Sequence, residues 1–171
     1  MRAWSRLLQI LLFALLILAA GCGRTPLPDG PPKPAPTSIA QAESLKQGGV
    51  AWTNEEIRIH YNRVVATIGP ADEQWKREGI GAEERARRAS RIRHEARLLC
   101  RAMMSSAVEV ELLRRRDQEK YGNPDGPTFE QLVESGRKKG LSGDALYEGI
   151  IASAQRTDEA VNAAFGIRRS P

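Results

Sequence analysis

Residues 81–104 read Gly-Ala-Glu-Glu-Arg-Ala-Arg-Arg-Ala-Ser-Arg-Ile-Arg-His-Glu-Ala-Arg-Leu-Leu-Cys-Arg-Ala-Met-Met. At about 100° per residue, Ala89, Ile92, Ala96, Leu99, Cys100 and Met103 share roughly 100° of arc. Arg87, Arg91, Arg93, Arg97 and Arg101, with His94, fan across the opposite side. The run predicts a long amphipathic helix, led in by Gly79–Ala82 and ending near Met104. Glu83 with Arg87 and Glu84 with Arg88 add i,i+4 pairs in the favourable order.

The neighbouring segments carry the same helical signature. Thr53-Asn54-Glu55-Glu56 is a capping box that opens a helix to about Ile68, where Gly69-Pro70 ends it. Ile57, Tyr61, Val64, Val65 and Ile68 form its apolar face. Ser106-Ala107-Val108-Glu109 opens a helix to about Lys120. Thr128-Phe129-Glu130-Gln131 opens another to Lys139, which Gly140 and apolar Leu141 close as a Schellman stop. Ser142 begins a helix through Ala154, and the hinge at 140–142 implies an αα-hairpin. Thr157 caps a last short helix ended by Gly166. No window alternates β-branched residues, so the expected fold is all-α: a small bundle of about five to six helices after a Pro-rich tether.

Composition bounds the rest. The chain has 171 residues with 26 Lys+Arg, 21 Asp+Glu, 2 His and 2 Cys. These values exclude a multi-domain enzyme, a disulfide scaffold, a multi-span membrane protein and a Cys/His zinc module. Six of the ten prolines fall between Gly23 and Pro36, a composition that favours extended polyproline II. Thr37–Ala51 is polar and Gly-broken, with at most one weak helical turn expected. Residues 22–51 therefore read as a tether, 52–166 as the folded domain and 167–171 as a tail.

The N-terminus reads as an export signal over residues 1–21. Arg2 and Arg6 make a positive start, and the unbroken apolar run Ile10–Ala20 is 11 residues, too short for a membrane span of about 20. Leu18-Ala19-Ala20-Gly21-Cys22 resembles the lipobox of bacterial lipoproteins. It departs at Ala19, three before the Cys, where Leu is commoner. The resemblance implies cleavage before Cys22, lipidation of its thiol, and a membrane anchor in the bacterial cell envelope. In the didermal class Asp after the Cys typically signals inner-membrane retention, so Gly23 implies the outer membrane. With Cys22 lipidated, Cys100 has no partner and is expected as a small buried residue. Lys120–Glu134 and Gly140–Asn162 resemble modules of uncharacterised bacterial lipoproteins and secreted interaction proteins, a likeness that assigns no residue roles.

Chemistry has few places to reside. Residues 81–101 hold seven Arg against three Glu. One reading is a solvated helix face; the other is a contact surface for anions, since Arg is the better fork for carboxylate and phosphate. Under the second reading Arg87, Arg91, Arg93, Arg97 and Arg101 are the binding residues, joined by Asn123 and Asp125 of the neighbouring loop. That loop, Asn-Pro-Asp-Gly, fits a type I turn and otherwise serves as a rigid connector. Arg137-Lys138-Lys139 sits at a helix end, where cations favour the dipole. Trp52 and Trp75 read as core anchors.

No nucleophile elbow, phosphate loop, metal-ligand spacing or cofactor fingerprint is present. The acid/base candidates are His94 with Glu95. Without Arg2 and Arg6 the 26 basic residues become 24 against 21 acidic, a charge of +3, and no aromatics interleave the basic run, so nucleic acid is not an expected partner. The sequence thus implies a lipid-anchored, non-catalytic envelope binding module without cofactor or metal. Its partner would be an envelope protein or an anionic envelope component. The alternative is a small effector enzyme acting on an anionic substrate.

Overall fold

The computed structural model describes residues 33–158 and Asn162. The expected signal peptide, Cys22, the tether before Lys33, the last short helix apart from Thr157, Asp158 and Asn162, and the tail lie outside the described residues. Within them the fold is all-α, with seven helices and no strand. They are α1 (Ile39–Gln47), α2 (Asn54–Ala66), α3 (Ile68–Arg77), α4 (Ala82–Met103), α5 (Ala107–Tyr121), α6 (Phe129–Lys138) and α7 (Gly143–Ala154).

The 22-residue α4 is the spine. At 1.5 Å per residue it is about 33 Å long, and α1, α2, α3, α6 and α7 all pack against it. Its expected apolar arc is the buried one: Ala89, Ala96, Leu99, Cys100 and Met103 are buried and Ile92 is partly so. Two apolar clusters lie along it. Near its N-terminus Ala86 and Ala89 meet Val65, Ile68, Leu146, Ile150, Ile151 and Ala154. Near its C-terminus Leu99, Cys100 and Met103 meet Ala42, Trp52 and Ile57. Alanine at 86 and 89 keeps the spine thin where α7 crosses it. Trp75 packs against the first cluster and Trp52 lies within the second, so both indoles are core anchors.

Two helices depart from the sequence expectation. The segment assigned to the tether folds as α1. Ser38 caps it by accepting from the Gln41 amide at 3.2 Å, and Ala42 and Pro36 are fully buried. The Lys46 ammonium donates to the Ala102 and Met104 carbonyls at 3.0 and 2.9 Å, satisfying acceptors at the end of α4. The Trp52 indole donates to the Pro34 carbonyl at 3.2 Å. Packing therefore begins near Pro34, upstream of the expected start at Trp52. The periodicity signal was weak because α1 buries one residue only.

The second departure is α3. Gly69-Pro70 follows the end of α2 as expected, yet it forms the first turn of a new helix rather than a loop. Pro70 is tolerated because first-turn amides have no intrahelical acceptor; the Ala71 amide then bonds the Thr67 carbonyl at 3.2 Å.

The capping signals at 53 and 128 are both realised as reciprocal boxes. Gly140, at φ +81°, closes α6, and the Leu141 amide bonds the Gly136 carbonyl at 3.1 Å. The chain then turns into α7, which packs on α6 as a hairpin. A Cβ at Gly136 would lie 2.1 Å from Leu146 Cδ1, so glycine there lets α6 and α7 approach closely.

Candidate functional site

The closed hairpin of α6 and α7 leaves a cavity of about 350 Å³ against α4. Ser90, Arg93, His94 and Arg97 line it from α4, one stripe at i, i+3, i+4 and i+7. Ser135 and Gly136 come from α6, with Lys139 just past its end. Ser153 comes from the last turn of α7, with Arg156 just past it. The apolar part of the wall is Leu132, Leu141, Leu146 and Ile150. Among the described residues no Asp or Glu lines this cavity, whereas four Lys and Arg side chains do.

These cations are held in different ways. Arg93 donates to the Ser153 carbonyl, which ends α7 without neutralising the guanidinium. Arg97 lies 3.5 Å from the Asp117 carboxylate and against the loop backbone: a Cβ on Gly126 would be 1.6 Å from its Nη1. Glycine at φ +98° is what leaves room for this side chain. Lys139 and Arg156 are exposed at the mouth and make no side-chain contact with a carboxylate among the described residues.

The other expected binding residues separate. Arg101 is not on an outer face but 8% exposed. Its Nη2 donates to Asp117 at 2.5 Å and its Nη1 to the Pro124 carbonyl at 2.7 Å. Asp117 is itself buried, so this pair is a structural bolt between α4, α5 and the 121–128 loop. Asn123 accepts from the Asp125 amide at 3.0 Å, and Asp125 pairs with Arg114 at 3.2 Å and Arg101 at 3.7 Å. Both loop residues are thus engaged in holding the turn. Arg87 stacks over the Phe129 ring at 4.3 Å and pairs with Glu83 and Glu130. Arg91 is exposed and lies apart from the cavity lining.

His94 and Glu95 do not meet. His94 lines the cationic cavity, while exposed Glu95 lines a different hollow, of about 440 Å³, beside Pro36, Ile39 and His60. Adjacent residues on a helix point about 100° apart, so the acid/base pair has no shared target. His60 is half-buried, and burial followed by the neighbouring Arg63 charge holds its pKa below the ordinary histidine value. Cys100 is buried, its thiol near the Ile57 carbonyl at 3.7 Å; burial pushes its pKa up to about 12. Among the described residues no three His, Cys, Asp or Glu gather as a metal site, and no helix is long and apolar enough to cross a membrane.

The sequence reading passed over three residues. Arg85, 5% exposed, sits between Asp72 at 2.6 Å and Glu148 and donates to the Ile80 carbonyl at 3.2 Å. Burial works against its charge, but the Glu148 and Asp72 carboxylates outweigh that and hold its pKa above the ordinary value. Lys139 was visible only as a helix-end cation, and Arg156 carried no pattern at all. Their shared position, one and two residues past the ends of the two hairpin helices, is the signal that links them. No family model, curated protein or solved structure matches the chain.

Proposed function

We propose that this chain is a lipid-anchored protein of the bacterial cell envelope, in the outer membrane, acting as a non-catalytic binding module. The anchor reading rests on the lipobox-like run Leu18–Cys22. The binding reading rests on one observation: a cavity lined by Arg93, Arg97, Lys139 and Arg156 and, among the described residues, by no carboxylate. Concave sites that combine apolar walls with a few convergent polar groups are the common form of ligand pockets. Here the polar groups are cationic, so the ligand is an anionic group of an envelope component or an envelope protein. The effector-enzyme alternative has His94 in the same cavity, but Glu95, the acid/base partner expected for it, lines a different hollow, which favours binding over catalysis.

Two measurements test this. Intact mass and membrane fractionation compare the native chain with Cys22→Ala; acyl mass on a chain starting at Cys22, lost with membrane association in the variant, is the expected result. Binding is read by NMR: acetate, sulfate and inorganic phosphate are titrated while the His94 and Tyr121 ring resonances are followed. Both rings line the cavity. Saturable shifts that vanish in Lys139→Glu/Arg156→Glu support the site; shifts from no anion, or shifts unchanged in the variant, would overturn it.

A further inference from the structure

We infer that the cavity between α4, α6 and α7 recognises a phosphate monoester carried on an apolar group, with Arg93, Lys139 and Arg156 receiving the phosphate. This rests on the anion-binding reading above and narrows its ligand class. The count of charges decides the head group. Among the described residues four cations line the cavity, and of these Arg97 alone has a carboxylate nearby, Asp117 at 3.5 Å. Arg93 spends a donor on the Ser153 carbonyl but keeps its full charge. About three uncompensated positive charges therefore remain.

A single carboxylate would balance one of them. A phosphate monoester carries about −1.5 to −2 at neutral pH and three terminal acceptor oxygens. Guanidinium forks bond such oxygens in pairs, and an ammonium adds a point charge. Ser135, at the same wall, adds a hydroxyl donor. The remainder of the wall decides the other half of the ligand. Leu132, Leu146 and Ile150 form an apolar floor, with Leu141 exposed at the edge. A free inorganic anion would leave that floor against water. An ester of an apolar alcohol covers it, and about 350 Å³ admits a small organic molecule but not a folded partner.

The test is calorimetric titration of the full chain with three six-carbon probes, hexyl phosphate, hexyl sulfate and hexanoate, with inorganic phosphate as the bare head group. Hexyl sulfate keeps the three terminal oxygens but carries one charge. Hexyl phosphate is expected to bind at least tenfold tighter than each of the others, because each added charge-assisted contact is worth about tenfold. Lys139→Gln and Arg156→Gln should each lower its affinity about tenfold and leave the thermal midpoint unchanged, since neither side chain contacts a carboxylate among the described residues.

Equal binding of hexyl phosphate, hexyl sulfate and hexanoate would overturn the phosphate assignment while leaving an anion site in place. Equal binding of hexyl phosphate and inorganic phosphate would overturn the apolar half. No binding of any probe would overturn both this inference and the anion-binding reading beneath it. Vesicles containing phosphatidic acid distinguish the source. Retention that depends on Arg156 assigns a membrane lipid phosphate; hexyl phosphate binding without such retention assigns a soluble ester.

Discussion

Arg101 and Asp117 exchange a 2.5 Å hydrogen bond in a place where both are almost fully buried. Removing one partner strands the other charge in a medium that solvates it poorly, which typically costs about 3–5 kcal/mol, whereas replacing both by apolar residues is often neutral. Asp117→Ala is therefore expected to lower urea stability by about that amount, and Arg101→Met with Asp117→Leu to be more stable than either single change. A double variant as damaged as the sum of the singles would show that the pair does not act as a unit. The same geometry warns against reversing Arg101 to probe binding: the outcome would report unfolding. Cys100 gives a second residue-scale expectation. With a thiol pKa of about 12, it should resist iodoacetamide at pH 8 in the folded chain and react once the chain is unfolded in urea. Rapid alkylation of the native chain would mean that the thiol is neither buried nor protonated as described.

At the scale of the helices, caps carry information that survives tertiary context. The Thr53 hydroxyl receives the Glu56 amide at 3.2 Å and the Glu56 carboxylate receives the Thr53 amide at 2.7 Å. Burial pushes Glu56 upward, but the Thr53 amide, the Lys33 ammonium and the Thr53 hydroxyl outweigh it and hold its pKa below the ordinary carboxylate value. A depressed carboxylate contributes stability above its unfolded pKa and loses it as pH falls through the folded pKa. Thr53→Ala should cost about 1 kcal/mol at pH 7, and this cost should shrink as the pH is lowered through the carboxylate range. A pH-independent cost would mean that the cap acts through Thr53 alone. These local rules explain what was legible. Thr53, Thr128 and Gly140 announced their helix ends because a cap is an arrangement of neighbours in sequence. The cavity was not legible in the same way. Arg93 and Arg97 were named as one outward fan with Arg87, Arg91 and Arg101, since periodicity gives the angle of a side chain but not what stands opposite it. Asp117 took Arg101 inward, Ser153 took Arg93 to the end of α7, and Lys139 and Arg156 joined them across sequence gaps that no helical repeat spans.

At the scale of the whole molecule, the decisive question is where the folded body begins. Composition put the boundary at Trp52 because the prolines and glycines before it cannot build a core of their own. They do not need to: Pro36 and Ala42 are buried against elements supplied by the rest of the chain. The Lys46 ammonium closes the end of α4, and the Trp52 indole is anchored to the Pro34 carbonyl. A chain that starts at Trp52 would lose all of these at once. It would expose Leu99 and Met103 on the spine and leave the indole donor without its acceptor. The loss corresponds to one or two apolar side chains taken out of a core, on the order of 2–4 kcal/mol. A chain that starts at Lys33 keeps every one of these contacts and should match the full-length protein. Urea unfolding followed by tryptophan fluorescence compares the three chains directly, because Trp52 lies in the affected cluster. Coincident midpoints for the chains starting at Lys33 and Trp52 would make α1 an ornament of the tether. A lower midpoint for the Trp52 chain alone would make it a structural helix of the domain.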